Sequence, residues 1–448
     1  MPSSATLSFT RSSLVLAGVL ASSPLAAQDS TPRLFIPQLL GAQITVIGQD
    51  LFRFQAPYTG PKSLVPTGDA HATDTYGIYF GDRLTANLEA YVDFEMARGA
   101  GISNATGLAG VTNGDVIRQG SANLGNGPYL ARVFLQYYLP LTPERAHNDR
   151  AQDQLPGPEP TNRLELDAGR FAASDFFDLN RYANSTRTQF MNWGLFQNSA
   201  WDFAADTRGY TWGAVIALVH PAWAVRLGSF AMPLMANGNV FDVFPRARGD
   251  NLEITLQPGT SGTIVRILAY ENHARMGVYA DAIAHGVAVD SAPNIVADDK
   301  PGRTKKGLGL NVEQPLADSG NTGAFLRLGW NDGKNEDFAF TEVDRHLSAG
   351  LQVSGIRWGR GADVLSVAIL VHGLSPDHRA YLAAGGQGFL LGDGKLRYGS
   401  ENILEAYYRA QFGRFIQVGP DFQWIHNPGY NRDRGPAAVA SLRLRASY

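Results

Sequence analysis

The 448-residue sequence contains no cysteine, so disulfide bonds cannot hold the fold together and sheet closure or core packing must do so. It also lacks a basic stripe. The 38 lysines and arginines are scattered among 41 aspartates and glutamates, and the formal net charge is -3, which argues against a nucleic-acid-binding protein. No apolar run beyond the N-terminal segment approaches the roughly 18 to 20 residues of a membrane helix, so any membrane span must be made of β-strands.

Motifs for catalysis are missing as well. There is no G-x-S-x-G, and the glycine-rich segment RGAGISNATGLAG has no phosphate-binding lysine. Five histidines are scattered without the spacing of a metal-binding motif: His220, His285, His346, His372 and His426. Asp202 and Asp206 lie four residues apart near Arg208 and could be the paired carboxylates of a glycosidase, although pairing with the arginine is the simpler interpretation. The sequence therefore predicts no metal site, no cofactor and no specific enzyme chemistry.

The first residues have the pattern of a secretory signal peptide. Arg11 precedes the apolar run Leu14–Leu20, and the small residues Ala26 and Ala27 precede a polar glutamine. A buried N-terminal helix is the alternative. We predict a signal peptide over residues 1–27 and a single mature domain over residues 28–448.

Most of the remaining sequence alternates between apolar and polar residues. From Arg83 to Met96 the alternation is strict, which predicts one strand with an apolar and a polar face. A tilted transmembrane strand needs about 9 to 11 residues, longer than most strands of soluble domains. Further predicted strands are Gln43–Phe54, Thr75–Phe80, Tyr129–Leu139, Arg163–Phe171, Gly209–His220, Trp223–Met232, Leu252–Gln257, Thr263–Asn272, Gly277–His285, Lys305–Glu313, Gly323–Asn331, His346–Trp358, Asp363–His372, Ile403–Phe412, Arg414–Ile425 and Ala437–Tyr448.

The final strand carries a second signal. It ends the chain on an aromatic residue, Tyr448, which would close the sheet of an outer-membrane barrel and place a ring at the membrane interface. A soluble β-sandwich would not need so many long strands with strongly polar second faces. We predict an all-β, transmembrane antiparallel β-barrel of about sixteen strands with an inward-folded constriction loop. The side chains that strand parity directs into the lumen are Glu89, Asp93, Glu95, Glu405 and Arg409. The polar segment Ala146–Pro160 is predicted to be a flexible external loop or turn.

The predicted constriction loop is Asp175–Gly213, in which ten aromatic residues alternate with Asp, Asn, Gln and Arg. Such long irregular segments in folded proteins are usually functional. Flat rings can contact the apolar faces of a sugar while amides, carboxylates and guanidinium groups bind its hydroxyls. Conduction requires weak binding, and millimolar affinity corresponds to only about 4 kcal/mol. The alternative is that these rings pack the loop against the barrel wall.

Five stretches resemble the OprB-type carbohydrate-selective porins of Gram-negative outer membranes. They read TYGIYFGDRLTANLEAYVDFEMARGAGISNATGLAGVTNGDV, PYLARVFLQYYLPL, RFAASDFFDLNRYANSTRTQFMNWGLFQNSAWDFAADTRGYTWG, GLSPDHRAYLAAGGQGFLLGDGKLRYGSENILEAYYRAQFG and PDFQWIHNPGYNRDRGP. The resemblance implies a sixteen-stranded barrel that passes glucose and other sugars by facilitated diffusion. It places the constriction in the matching segment, at Arg187, Trp193, Trp201, Asp202, Asp206 and Arg208. The departures are Tyr448 where many barrels end in phenylalanine, and a proline-rich insertion before Arg163.

Two other functions remain open at this stage. One is a porin for another solute, such as an anionic polysaccharide or phosphate, and the other is a secreted carbohydrate-active enzyme that uses Asp202 and Asp206. The mixed charge of the predicted lumen favours weak ion preference. The expected partners are carbohydrate solutes and outer-membrane lipid, with either a monomer or a homotrimer as the assembly.

Overall fold

The computed structural model describes residues 37–115 and 124–448. The predicted signal peptide lies outside these residues. Within them, sixteen strands form one closed antiparallel barrel in which each strand pairs with the next along the chain and the last pairs with the first. Two short strands between the fourth and fifth barrel strands form a separate hairpin. The predicted fold class is confirmed.

The strands are β1 (Leu39–Leu51), β2 (Asp69–Thr85), β3 (Leu88–Arg98), β4 (Tyr129–Pro140), β5 (Arg145–Asn148), β6 (Gly157–Pro160), β7 (Arg163–Phe171), β8 (Thr211–His220), β9 (Trp223–Ala231), β10 (Arg248–Leu256), β11 (Ile264–Met276), β12 (Lys300–Ala317), β13 (Thr322–Asn331), β14 (Arg345–Ser354), β15 (Val364–Gly373), β16 (Glu401–Phe412), β17 (Ile416–His426) and β18 (Ala437–Ser447). The helices are α1 (Trp193–Phe196), α2 (Tyr279–Ala288) and α3 (Pro376–Ala383), with short 3₁₀ turns at Ile102–Ala105, Ala173–Asp175, Asp318–Gly320, Gly355–Trp358 and Pro428–Tyr430. None of the described helices is long and apolar enough to cross a membrane.

The last strand closes the barrel, as its sequence predicts. Strand β18 pairs with β1 from Gln43 opposite Ser447 to Leu51 opposite Val439. Beyond the strand, Tyr448 exchanges backbone hydrogen bonds of 2.9 and 3.3 Å with Ala42. Closure satisfies the backbone groups of both terminal strands, which is the requirement for a sheet that crosses a membrane.

The wall has an apolar outer face. In β15 the side chains of Leu365, Val367, Ile369 and Val371 are exposed, while the residues between them are buried inside the barrel. Exposed aliphatic side chains in this regular spacing are typical of a face that contacts lipid.

The two ends of the barrel differ in the length of their connections. At one end, two residues join β2 to β3, two join β8 to β9, and three join β16 to β17. We call this the short-connection end. At the other end the strands are joined by longer connections, including residues 172–210 and 374–400. Both the start of β1 and the chain terminus lie at the short-connection end, because antiparallel strands alternate in direction.

The prediction of one strand from Arg83 to Met96 is wrong. The structure ends β2 at Thr85 and begins β3 at Leu88. A register shift next to Arg83 compensates for the turn, so Arg83 lies opposite Glu89, six positions later. Residues paired across antiparallel strands lie on the same face of the sheet. Because Arg83 and Glu89 are an even number of residues apart, the alternation of apolar and polar residues in β2 continues in phase into β3. The turn therefore leaves no break in the sequence pattern.

The prediction of a strand over Gly277–His285 is also wrong, because helix α2 covers most of that segment. Its buried residues Tyr279, Ala282 and Gly286 follow helical spacing. Alanine, the strongest helix former, recurs through the segment, and Asp281 lies in the first turn where it favours the helix dipole. The segment Ala146–Pro160 is likewise not a simple external loop, because it contains most of the β5–β6 hairpin.

Candidate functional site

The loop between β7 and β8, residues 172–210, folds into the barrel, and we call it the inner loop. Inward-facing side chains from several strands of the wall hold its backbone. Arg327 on β13 donates hydrogen bonds to the carbonyl oxygens of Leu195 and Ala183 at 3.0 and 2.7 Å. Glu405 on β16 accepts hydrogen bonds from consecutive backbone N–H groups at Met191 and Asn192.

On β18, Arg443 donates to the carbonyl oxygens of Thr186 and Gln189 at 2.6 and 2.7 Å. These contacts come from strands β13, β16 and β18, on the side of the barrel opposite β7 and β8, so the inner loop crosses the lumen. Arg409 on β16, which the sequence predicts to face the lumen, donates to the carbonyl oxygen of Thr188 at 3.3 Å.

Many aromatic side chains of the inner loop pack against the wall. Phe190 lies between Phe325 and Tyr407, with ring centroids 5.7 and 5.0 Å away. The Trp201 side chain is 2% exposed, and its indole N–H donates to Asn251 at 2.8 Å. These rings form a core between loop and barrel, which is the alternative that the sequence left open for them.

A cavity of about 590 Å³ remains beside the inner loop, and we call it the large cavity. The inner loop, strands β3, β4 and β7, and the β5–β6 hairpin contribute to its lining. Its charged lining comprises five arginines and five carboxylates: Arg132, Arg187, Arg208, Arg226, Arg445, Glu95, Asp115, Asp153, Glu165 and Asp175. The formal charges of this lining cancel.

Arg187, on the inner loop, lies at the centre of one ion-pair cluster. Its Nη1 atom is 2.7 Å from Glu95, and its Nε atom is 2.8 Å from Asp115. Burial alone would lower the pKa of Arg187, but the charges of Asp115 and Glu95 hold that pKa well above its usual value. The hydroxyl of Tyr210 also donates to Glu95 at 2.6 Å. The guanidinium group is therefore charged and fixed in orientation.

Arg132, on β4, organises a second cluster. It makes a bidentate contact with Asp175 at 2.7 and 2.8 Å and approaches Asp93 at 3.3 Å and Asp153 at 3.4 Å. One guanidinium group thus gathers carboxylates from strand β3, the inner loop and the β5–β6 hairpin. Bidentate arginine contacts fix geometry as well as charge.

Three arginines of the large cavity form no ion pair with carboxylates of residues 37–115 or 124–448. Arg208 lies over the Tyr129 ring, 4.3 Å from its centroid, and Arg445 donates to the side-chain oxygen of Gln43 at 2.8 Å. Arg226 reaches only the hydroxyl of Thr255, at 3.5 Å. Guanidinium N–H donors in these groups are available to a hydroxylated solute.

The six constriction residues predicted from the sequence separate into two groups. Arg187, Trp193 and Arg208 line the large cavity, whereas Trp201, Asp202 and Asp206 do not. Asp206 accepts hydrogen bonds from two backbone N–H groups of its own turn and pairs with Arg170 at 2.7 Å.

Asp202 is similarly engaged. It accepts hydrogen bonds from the backbone N–H groups of Phe338 and Ala339 at 2.8 and 2.9 Å, and its other oxygen is 3.6 Å from the Lys305 ammonium. Burial raises the pKa of Asp202, although the ammonium group and the two N–H groups act in the opposite direction. Both carboxylates of the enzyme hypothesis, Asp202 and Asp206, thus have structural partners and neither faces the cavity.

The five predicted lumen residues all make contacts inside the barrel. Glu95 lines the large cavity, and Glu405 and Arg409 bind the inner loop. Glu89 pairs with Arg83 at 2.7 Å, and Asp93 is buried beside Arg132.

Sequence reasoning missed several residues of the cavity lining, among them Arg132, Arg226 and Arg445. Arg132 and Arg445 do lie on the polar faces of their predicted strands, so strand parity could have found both. Asp115 has no such signal, because it follows an irregular part of the long loop between β3 and β4.

Asp337, Asp344 and His378 are buried, and their potential metal-ligand atoms lie within 4.8 Å of one another. They are the group of described residues best placed to hold a metal ion. However, the ammonium of Lys305 pairs with Asp337, and His378 lies 3.2 Å from Asp344. In this arrangement the cluster ties together the loops that follow β13 and β15.

Comparison with known proteins assigns the family. The model of the OprB family, described as carbohydrate-selective porins, matches residues 83–448. The chain belongs to this family. It is therefore an outer-membrane porin for carbohydrates, and its family and fold are those of channels rather than enzymes. In such barrels the short connections face the periplasm and the longer loops face the exterior.

A solved structure agrees with the fold of this porin. The high-pH structure of Pseudomonas putida OprB is 15% identical, with a TM-score of 0.66, and the match covers 92% of this chain and 94% of that one. The low-pH structure of the same protein is 12% identical, with a TM-score of 0.45 over 92% and 93% of the two chains. Salmonella typhi OmpF in complex with daunomycin is 10% identical, with a TM-score of 0.47 over 91% and 97%. No curated protein sequence matched the chain.

Proposed function

We propose that this porin passes glucose and other mono- or small oligosaccharides by facilitated diffusion through the large cavity, with Arg187, Trp193 and Arg208 among the residues that contact the solute. The observation that carries this proposal is the charge-balanced lining of five arginines and five carboxylates together with aromatic residues. A neutral solute with many hydroxyls can use both donors and acceptors in such a lining, whereas a strongly charged solute finds no excess of the opposite charge.

The size and the rigidity of the site support the same conclusion. A volume of about 590 Å³ lies within the range of roughly 300 to 1,000 Å³ that is common for small-molecule sites. Ion pairs hold Arg187 and Arg132 in place before the solute arrives, which limits the entropy lost on binding. Affinity need only be weak, because a solute that binds tightly would not leave the pore.

Sugar uptake by proteoliposomes tests this function. We expect glucose to enter faster than neutral amino acids of similar size, and phosphate to enter more slowly than glucose, because the lining has no net positive charge. The osmotic swelling rate of the proteoliposomes measures how fast each solute enters. Equal rates for glucose and size-matched amino acids would refute the selectivity for sugars, and faster phosphate entry would support the alternative solute class.

Replacing Trp193 by alanine should weaken sugar binding. The Trp193 ring stacks on Phe340, with centroids 4.4 Å apart and planes 10° apart, and it lines the large cavity. Loss of one aromatic contact should cost about 0.5 to 1.5 kcal/mol, or roughly 2- to 12-fold in the dissociation constant for glucose. Glucose-induced block of the ion current in planar bilayers measures that constant.

Trp201→Phe is the matched control for this experiment. Trp201 belongs to the same loop but is nearly fully buried, and it does not line the cavity. The variant should lose the hydrogen bond to Asn251 and some stability while its glucose-induced block stays at the wild-type level. Equal weakening by both variants would show that loop packing, rather than a contact between Trp193 and sugar, controls the block.

A further inference from the structure

The β5–β6 hairpin folds into the barrel from the short-connection end. Near its tip, the Gln152 amide donates to Asp93 on β3 at 2.7 Å, and the backbone N–H of Leu155 donates to the Tyr91 hydroxyl at 3.2 Å. Leu155 is 3% exposed. The hairpin is therefore packed against the inner wall rather than extended into the periplasm.

Contacts with further strands on the same side of the barrel hold the hairpin in place. Arg150 donates to the carbonyl oxygen of Leu40 on β1 and lies over the Tyr448 ring, 5.4 Å from its centroid. Asp153 lies 3.4 Å from Arg132 on β4. In the barrel order these attachments extend from β18 to β4, so the hairpin covers the part of the lumen beside five adjacent strands.

The hairpin separates the large cavity from a second one. The small cavity, of about 160 Å³, lies towards the short-connection end and is lined in part by Arg83, Tyr138 and Arg163. Four residues line both cavities: Gln136 on β4, Glu165 on β7, and Asp153 and Gln154 on the hairpin. A solute that moves from the large cavity to the small one must pass between these four side chains.

We propose that these four residues form a second constriction, on the periplasmic side of the large cavity, which sets the upper size of the solutes that leave the pore. The proposal rests on the proposed function in that it takes the large cavity as part of the solute path. It adds a separate element to that path, built from the insertion before Arg163. Because these contacts hold the hairpin against the inner wall, the passage has a defined width and selects by size.

The absence of cysteine from the sequence allows a direct test of where the passage lies. In Gln154→Cys, a bulky water-soluble thiol reagent should attach inside the passage and lower the single-channel conductance by about twofold or more. Thr260→Cys is the matched control, because Thr260 is exposed in the connection between β10 and β11 and lines neither cavity. An unchanged conductance after complete labelling at position 154 would overturn the proposal.

Shortening the hairpin tests the size limit. Replacing residues 146–159 by Asn-Gly, which favours a tight two-residue turn, should raise the conductance and raise the swelling rate of maltose relative to glucose. Removal of residues 259–261 is the control, since that turn lines neither cavity. An unchanged ratio of maltose to glucose in a folded, heat-modifiable barrel would overturn the proposal. If the shortened chain does not fold, labelling at position 154 decides.

Different results would contradict the proposed function and the proposed hairpin constriction. Neutral amino acids and oligopeptides of graded size report the hairpin constriction without any sugar. A larger size limit for these solutes in the shortened variant would support the hairpin proposal even if glucose showed no advantage over size-matched amino acids, the result that refutes the proposed function.

Discussion

Arg327→Leu should release the inner loop from the barrel wall and convert a narrow, selective pore into a wider one with a noisy current. The Arg327 side chain is fully buried, and it donates to the carbonyl oxygens of Leu195, Ala183 and Asp178 while pairing with the Asp178 carboxylate at 3.0 Å. Leucine would leave the carbonyl oxygens of Leu195 and Ala183 buried without a donor. The Asp178 carboxylate would lose its positive partner and keep only neutral donors, from Asn311 and Asn198. Removal of one partner from a buried charge pair costs about 3 to 5 kcal/mol.

This loss of stability should affect the inner loop rather than the barrel. The backbone pairing of β13 with β12 and β14 does not involve the Arg327 side chain. We therefore expect heat-modifiable gel mobility to be kept, single-channel conductance to rise, and glucose-induced block to be lost. The resistance of the inner loop to protease in intact proteoliposomes should fall in parallel.

Arg345→Leu is the matched control for the release of the loop. Arg345, on β14, also donates to two backbone carbonyl oxygens, those of Asn331 and Asp344, but neither belongs to the inner loop. Wild-type conductance in Arg327→Leu, with a quiet current and normal glucose block, would show that other contacts hold the loop. A wide, noisy pore in both variants would point to a general loosening of the barrel.

The barrel could be predicted because its evidence is local. Each strand has one face towards lipid and one towards the lumen, so apolar and polar residues alternate along nearly every strand. The prediction failed where tertiary contacts decide the structure. The turn after Thr85 is hidden by a compensating register shift, and the β5–β6 hairpin is stabilised by contacts with distant strands such as β1 and β3.

The candidate site was only partly predictable for the same reason. Composition identified the inner loop, but it could not distinguish Trp193, at the cavity, from Trp201, packed against Asn251. Strand parity directs Arg132 and Arg445 inwards, yet only barrel closure brings these two residues to one cavity. A pattern of period two specifies a face, whereas a site requires neighbours that are distant in sequence.

Arg187→Gln should make the pore cation-selective. Arg187 pairs with both Glu95 and Asp115, and its loss leaves four arginines against five carboxylates in the lining of the large cavity. Carboxylates without a positive partner in a narrow pore attract cations and repel anions. In a tenfold KCl gradient the reversal potential should move from near zero towards the limit of about 59 mV for a perfectly cation-selective pore.

Measurements at low salt are the most sensitive, because the screening length is about 10 Å at 0.1 M and shortens as salt is added. Arg98→Gln is the control for this variant. Arg98 pairs with Asp74 at 2.7 Å, but it is exposed at the end of β3 and does not line the large cavity. Its reversal potential should stay at the wild-type value.

The double variant Arg187→Gln/Glu95→Gln distinguishes the effect of net charge from the effect of losing the guanidinium group. It restores the balance, with four arginines against four carboxylates, while position 187 still lacks its guanidinium group. If net charge sets ion preference, the reversal potential should return to near zero. Glucose-induced block should nevertheless stay weakened, because the fixed donors of Arg187 are lost. Cation selectivity that persists in the double variant would contradict the charge-balance argument and would place the ion filter outside the large cavity.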